Sequence, residues 1–365
     1  MFYSIKVLMG KRLLTAVLAI LVLTMLVIPT AMADLKNWET ITYENGDVYE
    51  GDVLDGKRHG IGKMTYSTTD MYIGEWEDDK RSGLGVWINH NGTRITGSWQ
   101  EDILNGYCVQ SGSDGNKIIG QMKNHKLDGM GVVLYSNGNQ HLGEYKEQTK
   151  SGFGAFIHVD GSTEIGLFEN DYYMGKPYDE ETIGTLKDAN GNVYEGEMKD
   201  GKRDGYGRRT LTDGLINEGY FSNGVFIRGF IYSRNGSQFV GSLTDGKISG
   251  VGAMIMNDGV HVGDYVNDER EGEGAYLWPD SSNAYVGGMS KSRREGKGIY
   301  TRPEGDVYIG VFSSGKYEVE GIQFDPNGDI YEGGFVNGER EGRGFLRYAD
   351  GSTYEGPFTN GKPGK

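Results

Sequence analysis

Three segments share the glycine-to-lysine spacing of a phosphate-binding loop: Gly51 to Lys57, Gly196 to Lys202 and Gly241 to Lys247. Such a loop needs a Ser or Thr after the lysine and a helix beyond it. Arg58, Arg203 and Ile248 stand there instead, and strand-like alternation follows. Gly272-Glu-Gly274 lacks the strand–helix–strand setting of a dinucleotide fingerprint. Asp325-Pro-Asn327-Gly-Asp329 opens like a calcium loop, but Ile330 occupies the position that must be Gly. Loose calcium binding by acidic turns stays open. The six histidines show no metal-ligand spacing, and no Gly-x-Ser-x-Gly elbow occurs. Adjacent acids such as Glu180 with Glu181 and Glu269 with Glu271 fall in turns. These residues imply no catalytic constellation, no cofactor and no metal, so the chain is expected not to be an enzyme.

The glycines instead mark a repeat. Gly51, Gly74, Gly97, Gly120, Gly143 and Gly166 are each 23 residues apart, and Gly196 to Gly356 continue the period after one longer step. Two residues after each anchor the side chain is always apolar or aromatic, as at Trp76, Trp99 and Phe312. Two residues before it Tyr dominates: Tyr49, Tyr72, Tyr194, Tyr285, Tyr308 and Tyr331 among others. Residues two apart on a strand share a face, so the spacing predicts a strand with one buried aromatic ridge. Nine residues on, a Gly-x-Gly pair such as Gly60 and Gly62 opens a second strand. Asp-Gly and Asn-Gly turns separate the strands, and these are strong hairpin signals.

Tyr49-Glu-Gly-Asp-Val53 followed by Asp55-Gly-Lys-Arg-His-Gly-Ile-Gly62 resembles the MORN repeat (membrane occupation and recognition nexus). Tyr194 to Gly207 and Tyr331 to Gly344 match equally well, and the resemblance covers about residues 43–362. It implies an all-β, elongated single-layer antiparallel meander of about 14 β-hairpin repeats. At ~4.8 Å per strand such a ribbon would run on the order of 130 Å. Its aromatic face then needs covering, by curling into a groove or by a partner. Cys108 and Pro177 replace the second glycine of their pairs, and the pairs near Arg228 and Val319 are degraded. The expected layout is residues 1–33 outside the array, 34–175 as a first array, 176–190 as an inserted loop or bend, and 191–365 as a second array.

Lys6, Lys11 and Arg12 precede an uncharged apolar run from Leu13 to Ile28, and Ala31-Met32-Ala33 supplies a cleavage pattern. This is the arrangement of a secretory signal peptide, with an uncleaved anchor as the alternative. Either places the repeats beyond the cytoplasmic or ER membrane, in the periplasm, outside the cell or anchored on the outer side. Without residues 1–33 the 37 basic residues fall to 34 against 52 acidic ones, a formal −18. That balance excludes nucleic acid, whose phosphates need a basic footprint. Cys108 is the only cysteine, so no disulfide within the chain staples the array.

The expected role is a non-enzymatic exported scaffold that binds a protein partner or another copy of itself. Its candidate interaction surface is Tyr49, Tyr72, Trp76, Trp99, Tyr194, Tyr285, Tyr308 and Tyr331. Glycan or cell-envelope binding by these rings is one alternative. Attachment to membrane lipid, which the family name suggests, is another. The lipid reading would rest on a candidate basic edge of Lys57, Arg58, Lys80, Arg81, Lys202 and Arg203, residues that equally suit solvated turns.

Overall fold

The computed structural model of the chain describes Leu35 and residues 38–364. The apolar run of residues 13–28 and the leader assigned to residues 1–33 lie outside the described residues. Among those described, strands follow one another from Glu39–Thr42 to Lys362–Pro363, and a 3-10 turn stands at Glu180–Thr182. Every strand pairs antiparallel with its sequence neighbour, giving a 13-stranded sheet that ends at Gly175 and a 17-stranded sheet that begins at Ile183. The chain is all-β, a meander of hairpins.

The anchor glycines set the register. Gly51 lies opposite Gly62, Gly62 opposite Gly74 and Gly74 opposite Gly85, so a glycine row crosses the first sheet at right angles to its strands. Cys108 interrupts the row between Gly97 and Gly120 and is buried. Where a tyrosine stands two residues before the anchor, its ring lies along this row. A Cβ on Gly85 would meet the Tyr72 hydroxyl at 2.2 Å and its ring at 2.5 Å, so only glycine leaves the space. Between Gly74 and Glu75 the register slips by a bulge. Gly83 absorbs it with φ +59, in the left-handed region where a side chain is strained. The N–H of Leu84 next to it donates to Glu75 Oε1 at 2.7 Å. Asp52, Gln121 and Glu144 accept the equivalent N–H of Ile61, Met130 and Phe153.

The expectation of one buried face is corrected: both faces are covered. Residues one before the anchor point away from the tyrosine ridge, and here stand Ile73, Ile119, Leu142, Ile165, Val240, Val262, Val286 and Ile309, all buried. With Val86, Val132, Ala253 and Ile299 from the intervening strands they belong to one core cluster drawn from both sheets. The chain doubles back after Gly175, so that the strand Ile103–Ser111 lies against Glu269–Trp278 and Lys126–Leu134 against Lys247–Ile255. Each sheet is a single-layer meander, and each covers the inner face of the other. The longer sheet, 17 strands, runs ~80 Å at the usual strand spacing, in place of the 130 Å expected of an unfolded-back ribbon.

The repeats also bond along both edges. At one edge the turn N–H groups of Asp79, Asp102 and Asp171 donate to the carbonyls of Arg58, Arg81 and Lys150, one repeat earlier. At the other, Asp47, Asp70 and Asn116 side chains accept from Ser67, His90 and Ser136 of the next repeat. Pro177 stands where a glycine pair would continue the first sheet. It has no N–H to give to a ladder, and the chain leaves the sheet. Residues 176–190, read as a loop or bend, hold the 3-10 turn and the strand Ile183–Lys187 that opens the second sheet. Around Arg228, where the glycine pair is degraded, Gly229 still pairs with Gly219 and Gly241.

Candidate interaction surface

The aromatic candidates sit on the outer faces, sealed against their own backbone. Tyr49, Tyr72, Tyr285 and Tyr331 have no exposed surface, and Trp76, Trp99, Tyr194 and Tyr308 are also buried. Their rings meet edge to face: Tyr72 lies 5.1 Å from Trp76 and 5.6 Å from Trp99. Their polar ends turn inward too. Tyr49 Oη donates to Asp52 O at 2.7 Å, Tyr194 Oη to Glu197 O at 2.8 Å, and Trp76 Nε1 to Gly62 O at 3.2 Å. Burial pushes these phenols up, Tyr194 and Tyr331 to about 12. A sugar stacks on an open ring face, and these faces are closed. The rings are the core of the ridge, a correction to their reading as an interaction surface.

The basic candidates are divided by depth. Arg58 and Arg81 lie flat over the ridge, their guanidinium carbons 4.4 Å from the Trp76 ring and 4.5 Å from the Trp99 ring. Each also binds the turn of the next repeat: Arg58 Nε is 3.2 Å from Asp79 Oδ1 and Arg81 Nε 2.9 Å from Asp102 Oδ1. Arg203 reaches over Phe221 and donates to Gly224 O at 2.6 Å. Lys57 and Lys80 are outermost, 3.2 Å from Asp78 and Glu101. Lys202 is exposed at the equivalent turn. The edge is therefore an alternation of charge, in which the arginines clamp one repeat to the next. A basic stripe facing an anionic headgroup layer is not what these residues form.

What lies open is a groove on the outer face of the first sheet, a cleft of about 760 Å³. Its floor is Met64, Tyr66 and Trp76, crossed by Arg58 and Arg81, and its acidic rim is Glu44, Asp47, Asp79 and Asp102. Tyr66, which sequence reasoning missed, packs at a tilt against Trp87, ring centres 5.2 Å apart, and keeps part of its surface in solvent. Its signal is in the sequence: a tyrosine just before the inter-repeat turn, as at Tyr43 and Tyr135. Two histidines replace the ridge tyrosine. His141 Nδ1 lies 2.6 Å from Tyr145 Oη and His261 Nδ1 2.8 Å from Tyr265 Oη, and burial lowers both to about 3. Among the described residues no group of three or more His, Cys, Asp or Glu is placed to hold a metal ion. No helix of the described residues is long and apolar enough to cross a membrane.

The family model of the MORN repeat matches residues 49–71, 72–94, 96–117, 119–140, 194–216, 261–282, 285–307, 308–330 and 331–353. No curated protein matches the chain. Among solved structures, the chain is similar to the TCP domain of Drosophila melanogaster SAS-4 (dCPAP), solved with a proline-rich motif of Ana2 (dSTIL). Identity is 14%, over 49% of this chain and 87% of that one, at a TM-score of 0.25. It is also similar to the wild-type TCP10 domain of Danio rerio CPAP, at 10% identity, over 75% of this chain and 99% of that one, with a TM-score of 0.18. No conclusion about this chain rests on either likeness.

Proposed function

The chain belongs to the MORN-repeat family, and on that premise we propose that it is an exported, non-enzymatic scaffold whose outer groove holds a segment of another protein. The repeats make it a binding protein. The observation that carries the finer reading is the groove itself, half-open rings over a packed floor beneath an acidic rim. Its two arginines pair with Asp79 and Asp102, so the excess negative charge of the rim is that of Glu44 and Asp47. The segment that fits has aliphatic or aromatic anchors flanked by Lys or Arg, in keeping with the acidic balance of the whole chain. Export is supported by the charged, apolar and small-residue succession of residues 1–33. The free strand edges support self-association as a second mode.

A photo-crosslinking amino acid at Tyr66 tests the reading in the source cell. A discrete protein adduct is expected, and it should fall at least fivefold when Glu44→Lys reverses charge on the rim. An adduct pattern no different from that of a crosslinker at the exposed Val159 would overturn it.

A further inference from the structure

We propose that the end of the sandwich at the bend is a docking site for a second copy of this chain, through simultaneous antiparallel pairing of the outermost strands of both sheets. The inference rests on the scaffold reading and names where its self-association occurs.

Both sheets stop at this end. Tyr172–Gly175 is the last strand of the first sheet and Ile183–Lys187 the first strand of the second, and each is paired on one side only. Their apolar side chains face water: Tyr172 is 76% exposed, Met174 60%, Ile183 45% and Leu186 38%. The segment joining the two strands is tied to side chains of the second sheet through Lys176, Tyr178 and Asp179, and is exposed from Tyr178 to Thr182. Lys176 Nζ reaches the buried Glu218 Oε1 at 2.6 Å, the Tyr178 ring packs 5.4 Å from the buried Tyr206, and the Asp179 N–H donates to Glu197 Oε1 at 2.9 Å. The strand edges are left bare.

The outermost strands elsewhere are treated differently. Glu39–Thr42, at the start of the first sheet, is polar at three of its four positions. Lys362–Pro363, at the close of the second, carries the charge and the proline that stop further pairing. Exposed apolar edges at the bend alone therefore call for a partner that adds strands. A lone peptide would complete one sheet and leave the other open. A second copy completes both. A half-turn about an axis normal to the sheets reverses strand direction while keeping each layer in its plane. One two-fold axis therefore brings each outermost strand antiparallel to its own copy. That is the closed, isologous arrangement that homodimers favour.

The test is sedimentation of the purified full-length chain in mild detergent across a 100-fold concentration range, with the double variant Met174→Lys/Ile183→Lys alongside. A dimer is expected for the natural chain, and at least a 50-fold weaker dimer for the variant, with circular dichroism and melting unchanged. Should the double variant unfold, Thr185→Cys in a Cys108→Ser background provides the second measurement. Oxidation is expected to link two chains through position 185. A natural chain that stays monomeric throughout, or a dimer that survives the lysines while position 185 fails to crosslink, overturns the proposal. The rim variant Glu44→Lys should leave the dimer intact, so loss of groove binding and loss of the dimer are read separately.

Discussion

The glycine row and the tyrosine that fills it are one device, and the smallest test is a single methyl group. Gly85→Ala places a Cβ inside the Tyr72 ring, and overpacking of this kind destabilises by about 1–3 kcal/mol. In a Tyr72→Ala background the same change should cost much less, so a double-mutant cycle by urea unfolding should give a coupling above about 1 kcal/mol. The histidines test burial on the same ridge. Imidazole protonates near 6.5 in an unfolded chain and at about 3 in His141 and His261, held down first by burial and then by Lys150 and Arg270. Between those values the unfolded state binds more protons, so their contribution to stability is complete above pH 6.5 and is lost as pH falls toward 3. Each histidine should remove about 2 kcal/mol between pH 6.5 and pH 5. The His141→Phe/His261→Phe variant should show a correspondingly flatter denaturation midpoint over that range.

At the scale of strands and turns, the ridge, the hairpins and the repeat are legible because each rests on residues two, nine or 23 apart. The tyrosine, the anchor and the aromatic after it report one face directly. The opposite face is also written in the sequence, one place before the anchor, where Ile73, Ile119, Leu142 and Ile165 are matched later by Val240, Val262, Val286 and Ile309. Glu50, Glu218, Glu332 and Glu355 occupy the same column near the ends. That column does not say what covers it: Glu218, in the same column, is fully buried and pairs with Lys176 and Arg208. Covering by the other half is a long-range event that no local period encodes. The groove was legible only in part, since Tyr66 belongs to no column of the ridge. The bend depends on one buried carboxylate: Glu218 binds Lys176 at 2.6 Å and Arg208 at 3.3 Å. Glu218→Ala leaves both cations without it and should cost about 2 kcal/mol, less than the 3–5 of a fully buried pair because both cations keep access to water. Hydrogen exchange of the strands Tyr172–Gly175 and Ile183–Lys187 should rise together.

For the whole molecule, the doubled-back arrangement brings Thr96 Oγ1 within 3.0 Å of Thr301 Oγ1, though 205 residues separate them. Cysteines at both positions, in a Cys108→Ser background, should form an intramolecular disulfide rapidly on oxidation, seen as faster migration on a non-reducing gel. An extended ribbon would hold them tens of ångströms apart and give none. Charge contacts brace the same interface: Glu75 with Lys297, Glu144 with Arg228, and Lys117 Nζ donating to Pro279 O at 2.8 Å.

An open solenoid can gain or lose a unit anywhere, because each unit touches only its neighbours. Here a unit inserted in the middle of one arm would slide every later valine and isoleucine past its counterpart on the other. Duplications and deletions should therefore survive only as matched events in both arms, and natural variants of this architecture should differ in length by such pairs.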